Sequence, residues 1–436
     1  MFKKHYSKII FLLFIAGIVN YLDRAAFSVA MPYIKDHLHL SPTEVGVMLS
    51  SFFFGYALFN FVGGHLSDIY GPRKVFAIAM VSWSLFCGLT GLAFGYGMLF
   101  IVRLLFGMSE GPISTTINKC ISNWVPLSQR SRAVGIANAG NPLGGAIAGP
   151  IVGVIAVMWN WRISFIILMV LGFVWTFFWL RSFTDRPHSN PHTSAQEVSK
   201  YDEEQQTLLA GQGDRHKLPL RFYLTQPIVL FTGLAFFSIN YILYFFLTWF
   251  PSYLSMERGL NIKEISIASA IPWLIGSIGI AIGGAASDWI FRKTHNLMFS
   301  RKIMLVGGLI LSAICLSFAG SVTSVNSAVS LMALGIFFMY FAAAAPWSII
   351  SEHISPDKVG GVGGFVHLMA NTSGMIAPIL TGVIVQYTGS FIAAFILAGA
   401  VGVVGALGVA LFVKPIPTDK DRLRPLRRSL IKTMSK

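Results

Sequence analysis

The chain consists mainly of apolar stretches of roughly 20 residues, each long enough to cross a bilayer core about 30 Å thick at about 1.5 Å of helical rise per residue. Of its 436 residues, 54% are hydrophobic and only 12% are charged, whereas soluble proteins have about a quarter of their residues charged. The expected spans lie near residues 8–30, 44–66, 75–95, 97–122, 134–157, 164–182, 226–250, 265–286, 303–319, 327–351, 361–386 and 390–413. We therefore predict an all-α membrane protein with twelve transmembrane helices in two bundles of six.

One long polar segment separates the sixth expected span from the seventh. It is rich in Pro, Gly and acidic residues, and its piece YDEEQQTLLAG is expected to form at most one short surface helix. We predict an N-terminal bundle at 1–183, a linker at 184–224, a C-terminal bundle at 225–415 and a basic tail at 416–436.

The positive charge is distributed unevenly between the two sides of the membrane. The net charge is +15, yet the loops on the side opposite the termini hold only Lys35, Arg162, Arg258 and Lys263. Because cytoplasmic loops carry the excess of Lys and Arg, we expect both termini in the cytoplasm of a multi-pass inner-membrane protein. The charge therefore reports topology and does not indicate nucleic-acid binding. The basic tail could contact anionic lipid or simply be solvated.

The sequence shows no pattern typical of an enzyme or a metalloprotein. Cys87, Cys120 and Cys315 all fall within expected spans, without disulfide, zinc or haem spacing. No nucleophile with a matching base and no phosphate-binding loop is present. We expect no enzymatic activity, no metal and no cofactor.

The two halves share a short repeat. GGHLSD at 63–68 recurs as GGAASD at 283–288, each at the end of the second span of its half and each followed by a basic pair. Such a match at equivalent positions is typical of secondary transporters, which arise by internal duplication. The charged residues of this repeat could act as a breakable gate or could lie in solvated turns; they are Asp68, Arg73, Asp288 and Arg292.

Four ionisable residues fall deep inside the first and fourth spans. Asp23 and Arg24 lie roughly 21 Å along the first span, and Arg103 lies roughly 9 Å into the fourth from the other side, at a similar level. Arg103 and Glu110 are seven residues apart and so share one helix face. Asp23 and Arg24 point about 100° apart and cannot serve the same partner. We expect Arg24 to face a central cavity, beside Tyr21 and Ser28, and Asp23 to turn toward the fourth span.

Charges in the membrane are costly and usually functional. One alternative is that the four charges only neutralise one another and hold the two helices together, but buried ion pairs are weak evidence of stability. The other is coupling. Burial favours the neutral form of a carboxylate and a nearby arginine favours the charged form, so an anion that captures the arginine lets the acid take a proton.

Four segments resemble known transporters. GGHLSDIYGPRK resembles the loop signature of the major facilitator superfamily, and YLDRAAFSVA, RLLFGMSEGPISTTINKCISNWVPLSQRSRAVG and FFLTWFPSYL together are similar to its anion:cation symporter family, which includes bacterial sugar-acid carriers and the sialin and vesicular glutamate transporter group. The resemblance covers nearly the whole chain. It implies the major facilitator fold and transport by a protein that usually works as a monomer.

The resemblance also implies roles for individual residues. Asp23 and Glu110 occupy the positions of the family's protonatable acids, Arg103 matches one of its arginines, and Arg24 matches the arginine expected to meet the substrate carboxylate. Tyr21, Tyr56 and Asn141 fall where galactonate-type members of the family have polar substrate contacts. The chain departs from galactonate-type members at Phe236, where they have Gln, and at His367, where Asn is expected.

In the second half, the substrate contacts must come mainly from neutral residues. His367 could titrate or could be a neutral side chain hydrogen-bonded between helices. Each of the others could instead serve helix packing; they are Asn240, Tyr241, Tyr244, Trp347, Ser348, Asn371, Thr372 and Ser373.

These observations favour a proton-driven symporter that brings a small organic anion into the bacterial cytoplasm by alternating access of two halves. An exporter, an exchanger or a facilitator of the same fold is the alternative. A membrane sensor that does not transport is a third hypothesis, although the linker and tails contain no recognisable signalling domain.

Overall fold

A computed structural model of the protein describes residues 5–125, 130–190, 193, 198–199, 219–354 and 358–415. Within these residues the chain is almost entirely α-helical and contains no β-strand. The basic tail at 416–436 and most of the linker, including YDEEQQTLLAG, lie outside the described residues.

The helices of each half form six spans. In the first half they are His5–Leu38, Pro42–Tyr70, Pro72–Leu92, Tyr96–Glu110 with Ile113–Trp124, Arg130–Asn138 with Gly140–Met158, and Trp161–Ser182. A short 3-10 turn at Pro187–Ser189 and a short helix at Leu220–Leu224 follow. In the second half they are Pro227–Met256, Ile262–Thr294, Leu297–Ala319, Val325–Ala342 with Ala345–His353, Val359–Thr388, and Ile392–Phe412.

The predicted fold class is confirmed. Among the described residues, 11 helices are long and apolar enough to cross a membrane, and the 29-residue helix Pro42–Tyr70 completes the set of twelve spans. The first span was predicted to end near residue 30, and this boundary was wrong: its helix continues to Leu38. Hydropathy marks the thickness of the apolar layer, whereas a helix can continue beyond it into the polar sequence that follows.

Local sequence signals set several helix ends. Ser41 and Glu44 form a capping box at the start of the second span, and Asn261 and Glu264 form the equivalent box at the start of the eighth. Gly71, with φ of 82°, makes the turn between the second and third spans. Pro112, which has no backbone N–H, starts a new helical segment directly after Glu110 in the fourth span.

The two halves repeat the same packing pattern. In the first half, the first span packs on the fifth, the second on the fourth and the third on the sixth. In the second half, the seventh packs on the eleventh, the eighth on the tenth and the ninth on the twelfth. These pairs occupy equivalent positions, so the short repeat in the sequence corresponds to a repeat of the whole six-helix bundle.

The halves meet along three helix pairs, namely the first with the seventh, the second with the eleventh and the fifth with the eighth. Hydrogen bonds between the halves lie toward the far side, which is the membrane side opposite the termini. The Thr43 backbone N–H donates to Gln386 Oε1 at 3.1 Å, and Ser50 Oγ donates to the Met375 carbonyl at 3.0 Å. The halves are therefore closed against each other on the far side.

Glycines make this closure tight. A Cβ added to Gly46 would lie 2.5 Å from the carbonyl oxygen of Pro378 in the eleventh span, and one added to Gly149 would lie 2.5 Å from the carbonyl oxygen of Ser266 in the eighth. Backbones can approach this closely only where side chains are absent.

Candidate functional site

The four charged residues of the first and fourth spans form one buried cluster near the middle of the membrane. Asp23 and Glu110 have no exposed surface, and Arg24 and Arg103 are 5% and 3% exposed. Charges this deeply buried must be paired, neutralised or functional.

Arg24 pairs with Glu110. Its Nε donates to Glu110 Oε1 at 2.5 Å, and its Nη2 contacts the same oxygen. Asn20 Nδ2 donates to that oxygen as well, at 2.6 Å. Asn20 was not predicted from the sequence, although a polar residue one turn before an intramembrane arginine, on the same helix face, was a usable signal. Glu110 Oε2 is buried and has no hydrogen-bond partner among the described residues.

Aromatic rings surround the Arg24 guanidinium. Its central carbon lies 5.3, 4.7 and 4.5 Å from the ring centroids of Tyr21, Phe52 and Tyr56, distances at which a cation is attracted to the ring face. The Tyr56 hydroxyl lies 3.3 Å from Ser114 Oγ. The two predicted tyrosines therefore do lie beside the predicted arginine.

Arg103 has no anionic partner in direct contact among the described residues. Its guanidinium lies over Phe27 at 4.0 Å and Phe106 at 4.5 Å, and its Nε and Nη1 are buried without a hydrogen-bond partner in the described part of the chain. These N–H groups could therefore donate hydrogen bonds to an anion or to a carboxylate that has moved.

Asp23 points away from Arg24, as the 100° separation predicts. It was expected to turn toward the fourth span, but the polar side chains beside it, Trp83 and Cys87, belong to the third. Arg103 and Glu110 of the fourth span lie within electrostatic range. No described donor makes a hydrogen bond of ordinary geometry to either carboxylate oxygen of Asp23.

A small cavity lies beside the two arginines, with room for about one water molecule. Both halves contribute to its wall, since two of the residues come from the seventh span. The lining residues are Arg24, Phe27, Ser28, Leu49, Phe52, Phe53, Arg103, Leu247 and Thr248. Of these, only the arginines and Ser28 were predicted from the sequence, because a run of Phe in an apolar helix gives no sign of facing a cavity.

A hydrogen-bonded chain in the second half faces the same centre. The Tyr244 hydroxyl donates to Asn371 Oδ1 at 2.8 Å, and Asn371 Nδ2 lies 2.9 Å from His367 Nδ1. The Tyr244 ring packs against Phe53 of the first half, with centroids 4.3 Å apart, and both Tyr244 and His367 lie within electrostatic range of Arg24.

Trp347 and Phe236 surround His367. The Trp347 ring centroid lies 6.0 Å from that of His367 and 5.9 Å from that of Phe236. Trp347 keeps 43% of its surface exposed. The predicted residues Tyr244, Trp347, His367 and Asn371 are thus brought together by the seventh, tenth and eleventh spans.

Three of the remaining candidates of the second half form hydrogen bonds to carbonyls near them in the chain, and the other two are buried. Ser348, Thr372 and Ser373 donate their hydroxyls to carbonyls of their own helices. Tyr241 is buried, and its hydroxyl has no partner among the described residues. Asn240 is also buried.

Asn141, the candidate on the fifth span, packs against the first. It is half-buried, and its side-chain oxygen would lie 2.8 Å from a Cβ added to Gly17. It is absent from the wall of the small cavity.

Of the gate candidates in the second half, Asp288 alone forms an ion pair among the described residues. Asp288 is 68% exposed and pairs with Arg301 of the ninth span at 3.4 Å, while Arg292 points into solvent. Arg301 also binds Glu352 at 2.9 Å, so this cluster joins three spans within one half. Arg301 on the neighbouring helix thus lies closer to Asp288 than Arg292 does, although Arg292 is only one turn further along the same helix. Sequence spacing within one helix could not show this.

The equivalent cluster of the first half is only partly described. Arg73 Nη2 contacts the Leu180 carbonyl, and its backbone N–H donates to Asp185 at 2.8 Å. The side chain of Asp68 lies outside the described residues. No three His, Cys, Asp or Glu side chains of the described residues are grouped so that they could hold a metal ion.

Comparison with known proteins identifies the family to which this chain belongs. Residues 13–344 and 297–435 match the Major Facilitator Superfamily. The chain is 49% identical over 418 residues to a hexuronate transporter of Bacillus subtilis (strain 168), covering 95% of this chain and 96% of the relative. It is 31% identical over 419 residues to a probable L-galactonate transporter of Escherichia coli (strain K12), covering 94% and 90%.

A solved structure shows the same fold. The crystal structure of a bacterial homolog of the human lysosomal transporter Spinster, in an inward-facing and occupied conformation, superposes with a TM-score of 0.75 at 16% identity, covering 94% of this chain and 97% of that one. The relatives identified by sequence are named transporters, and none is an enzyme. The chain therefore belongs to the major facilitator superfamily and is a multi-pass membrane transporter.

Proposed function

We propose that this transporter is a proton-coupled symporter that carries a hexuronate or a similar sugar acid across the bacterial inner membrane, with both termini in the cytoplasm. The observation that carries the proposal is the buried Arg24–Glu110 pair, whose arginine lines the small cavity between the halves. The name of the 49% identical relative, a hexuronate transporter, supports the choice of substrate.

Arg24 is the group for which the substrate carboxylate and the Glu110 carboxylate compete. A planar guanidinium binds a carboxylate through two parallel hydrogen bonds, and Glu110 now occupies part of that donor set. A substrate carboxylate must displace Glu110 from Arg24 to be held in this way. Glu110 would then be a buried carboxylate with Asn20 as its one strong partner, so it takes up a proton. Anion and proton binding therefore favour each other.

Asp23 and Arg103 complete the proton circuit. Asp23 is a buried acid without a hydrogen bond of ordinary geometry in the described residues, with Trp83 and Cys87 beside it, which suits a group that holds a proton in one state of the cycle. Arg103 lies within electrostatic range of both acids and has donors to spare. We assign to Arg103 the task of stabilising whichever acid has lost its proton.

Closure on the far side defines one end of the transport cycle. In this state the glycine contacts near Gly46 and Gly149 hold the halves together on the far side, which leaves the side of the termini as the one from which substrate would enter or leave. The uneven distribution of Lys and Arg supports the assignment of that side to the cytoplasm. Opening to the far side requires these glycine contacts to separate while contacts on the termini side form.

Proteoliposomes test the proposal. An inward proton gradient should drive accumulation of radiolabelled galacturonate, and Glu110→Gln and Asp23→Asn should each abolish accumulation while retaining exchange of internal for external substrate. The matched controls are Glu264→Gln and Asp36→Asn, which change the same residue types at exposed positions. Exchange without gradient-driven accumulation in the wild-type protein would instead indicate an exchanger or a facilitator and would refute proton symport.

A further inference from the structure

The hydrogen bonds of Asn371 determine which nitrogen of His367 carries a proton. Asn371 Nδ2 lies 2.9 Å from the His367 backbone carbonyl, which can only accept, so the amide nitrogen must point there. The opposite side of the amide accepts from the Tyr244 hydroxyl at 2.8 Å. The second N–H of Asn371 then donates to His367 Nδ1 at 2.9 Å.

A ring nitrogen that accepts a hydrogen bond carries no proton. His367 is therefore the neutral tautomer protonated on Nε2, and it presents one N–H donor on the side of the ring away from Asn371. Tyr244 and Asn371 are positioning residues for this donor. The alternative left open by the sequence, a titrating His367, would require Nδ1 to donate to an amide nitrogen that has no lone pair to accept with.

An aromatic wall lies next to that donor. The ring centroids of Trp347 and Phe236 each lie 6.0 Å from that of His367, and Trp347 as a residue is 43% exposed. The glycine Gly363 lies under the Trp347 ring, where an added Cβ would come within 2.8 Å. Trp347 is thus packed against Gly363 on one side, and another part of its surface is exposed.

Tyr244 connects the wall with the carboxylate site. Its ring packs on Phe53, which lines the small cavity together with Arg24, and its hydroxyl bonds to Asn371. A ligand anchored by its carboxylate at Arg24 would extend toward His367 and Trp347.

We propose that His367 and Trp347 select the cyclic form of the sugar acid: the Nε2–H of His367 donates to a ring hydroxyl, and the exposed face of Trp347 packs against the C–H face of a pyranose ring. A pyranose presents several C–H groups on one side of a rigid ring, whereas an open-chain aldonate presents no such face. This inference rests on the proposed function and narrows its substrate class to hexuronates in the ring form.

The test compares galacturonate with galactonate, two six-carbon monocarboxylates that differ in ring closure. Binding is measured by calorimetry on the purified full-length protein, and accumulation is measured in proteoliposomes. We expect the wild type to bind galacturonate at least about tenfold more tightly than galactonate. Trp347→Ala should remove most of this preference by weakening galacturonate alone, and Trp159→Ala, at an exposed tryptophan on the far side, is the control.

Two substitutions separate a donor from a proton carrier at His367. His367→Gln keeps an N–H near the position of Nε2 and cannot titrate, so galacturonate affinity and proton-driven accumulation should stay within about threefold of wild type. His367→Phe should weaken galacturonate binding about five- to tenfold, as loss of one hydrogen bond in a desolvated site predicts.

Each outcome bears on a defined claim. If Trp347→Ala leaves the preference for galacturonate intact, or if His367→Gln abolishes accumulation, the inference is wrong although sugar-acid transport stands. If the wild type binds and transports neither compound, the proposed function fails and the inference fails with it.

Discussion

Replacing Glu110 with Gln tests whether Glu110 and the substrate carboxylate compete for Arg24, because the substitution should change both the stability of the protein and its affinity for substrate. The substitution preserves size and removes the charge that Arg24 now meets. The remaining partners of Arg24 are the rings of Tyr21, Phe52 and Tyr56, which attract a cation but carry no formal charge.

The size of the effect follows from the geometry. Removing one partner of a buried ion pair costs about 3–5 kcal/mol because the other charge is left uncompensated. Since the amide oxygen that Glu110→Gln introduces could still accept from Asn20 and Arg24, we expect the low end, about 3 kcal/mol. A substrate carboxylate that reaches Arg24 restores the missing negative charge and no longer has to displace Glu110. If half of the lost stability returns on binding, affinity rises about tenfold.

The assay combines two measurements on the purified protein. The apparent midpoint of thermal unfolding should fall for Glu110→Gln without ligand, and galacturonate should raise it by more than in the wild type. Affinity measured by calorimetry should become independent of pH, because the proton acceptor coupled to the anion is gone. An unchanged unfolding midpoint together with a wild-type dependence of affinity on pH would refute the reasoning, and Asp36→Asn, at an exposed acid, controls for loss of an acid elsewhere.

Three further outcomes follow from the site and the helix contacts. Asp23→Asn should lower the thermal midpoint by less than Glu110→Gln, because its carboxylate has no ion pair or hydrogen bond of ordinary geometry to lose among the described residues, yet it should abolish gradient-driven uptake; a fall as large as that of Glu110→Gln would contradict this. Arg24→Lys should weaken substrate binding about tenfold or more, since an ammonium cannot form the two parallel hydrogen bonds of a guanidinium; equal affinity by calorimetry would remove Arg24 from the site. Gly149→Val should prevent closure against Ser266 and so increase maleimide labelling, from the far side, of a cysteine introduced at Thr43; unchanged labelling would show that this contact does not control closure.

Helix periodicity predicted which faces the charges occupy. The seven-residue spacing of Arg103 and Glu110 and the 100° angle between Asp23 and Arg24 depend only on helix geometry, which does not change with context. The structure places all four in one buried cluster, as these angles and depths predicted.

Periodicity did not determine the partners. Whether Asp23 meets the third or the fourth span depends on how each helix is rotated in the bundle, and that rotation is set by packing of many side chains together, including glycines such as Gly55 and Gly107 that let the second and fourth spans touch. The same reason explains the pairing of Asp288 with Arg301. The chain of Tyr244, Asn371 and His367 joins the seventh and eleventh spans, and no spacing within one helix could reveal it.

The central claim is that one substrate anion and at least one proton cross together because the substrate carboxylate competes with Glu110 for Arg24, and the displaced Glu110 takes up the proton. A pH electrode outside proteoliposomes in weakly buffered solution measures this directly, with membrane potential clamped by valinomycin and potassium. Adding galacturonate without a pH gradient should make the external medium more alkaline as substrate enters, and Glu110→Gln should eliminate that signal while exchange of radiolabelled substrate continues. Substrate entry at a normal rate with no change in external pH would contradict the account.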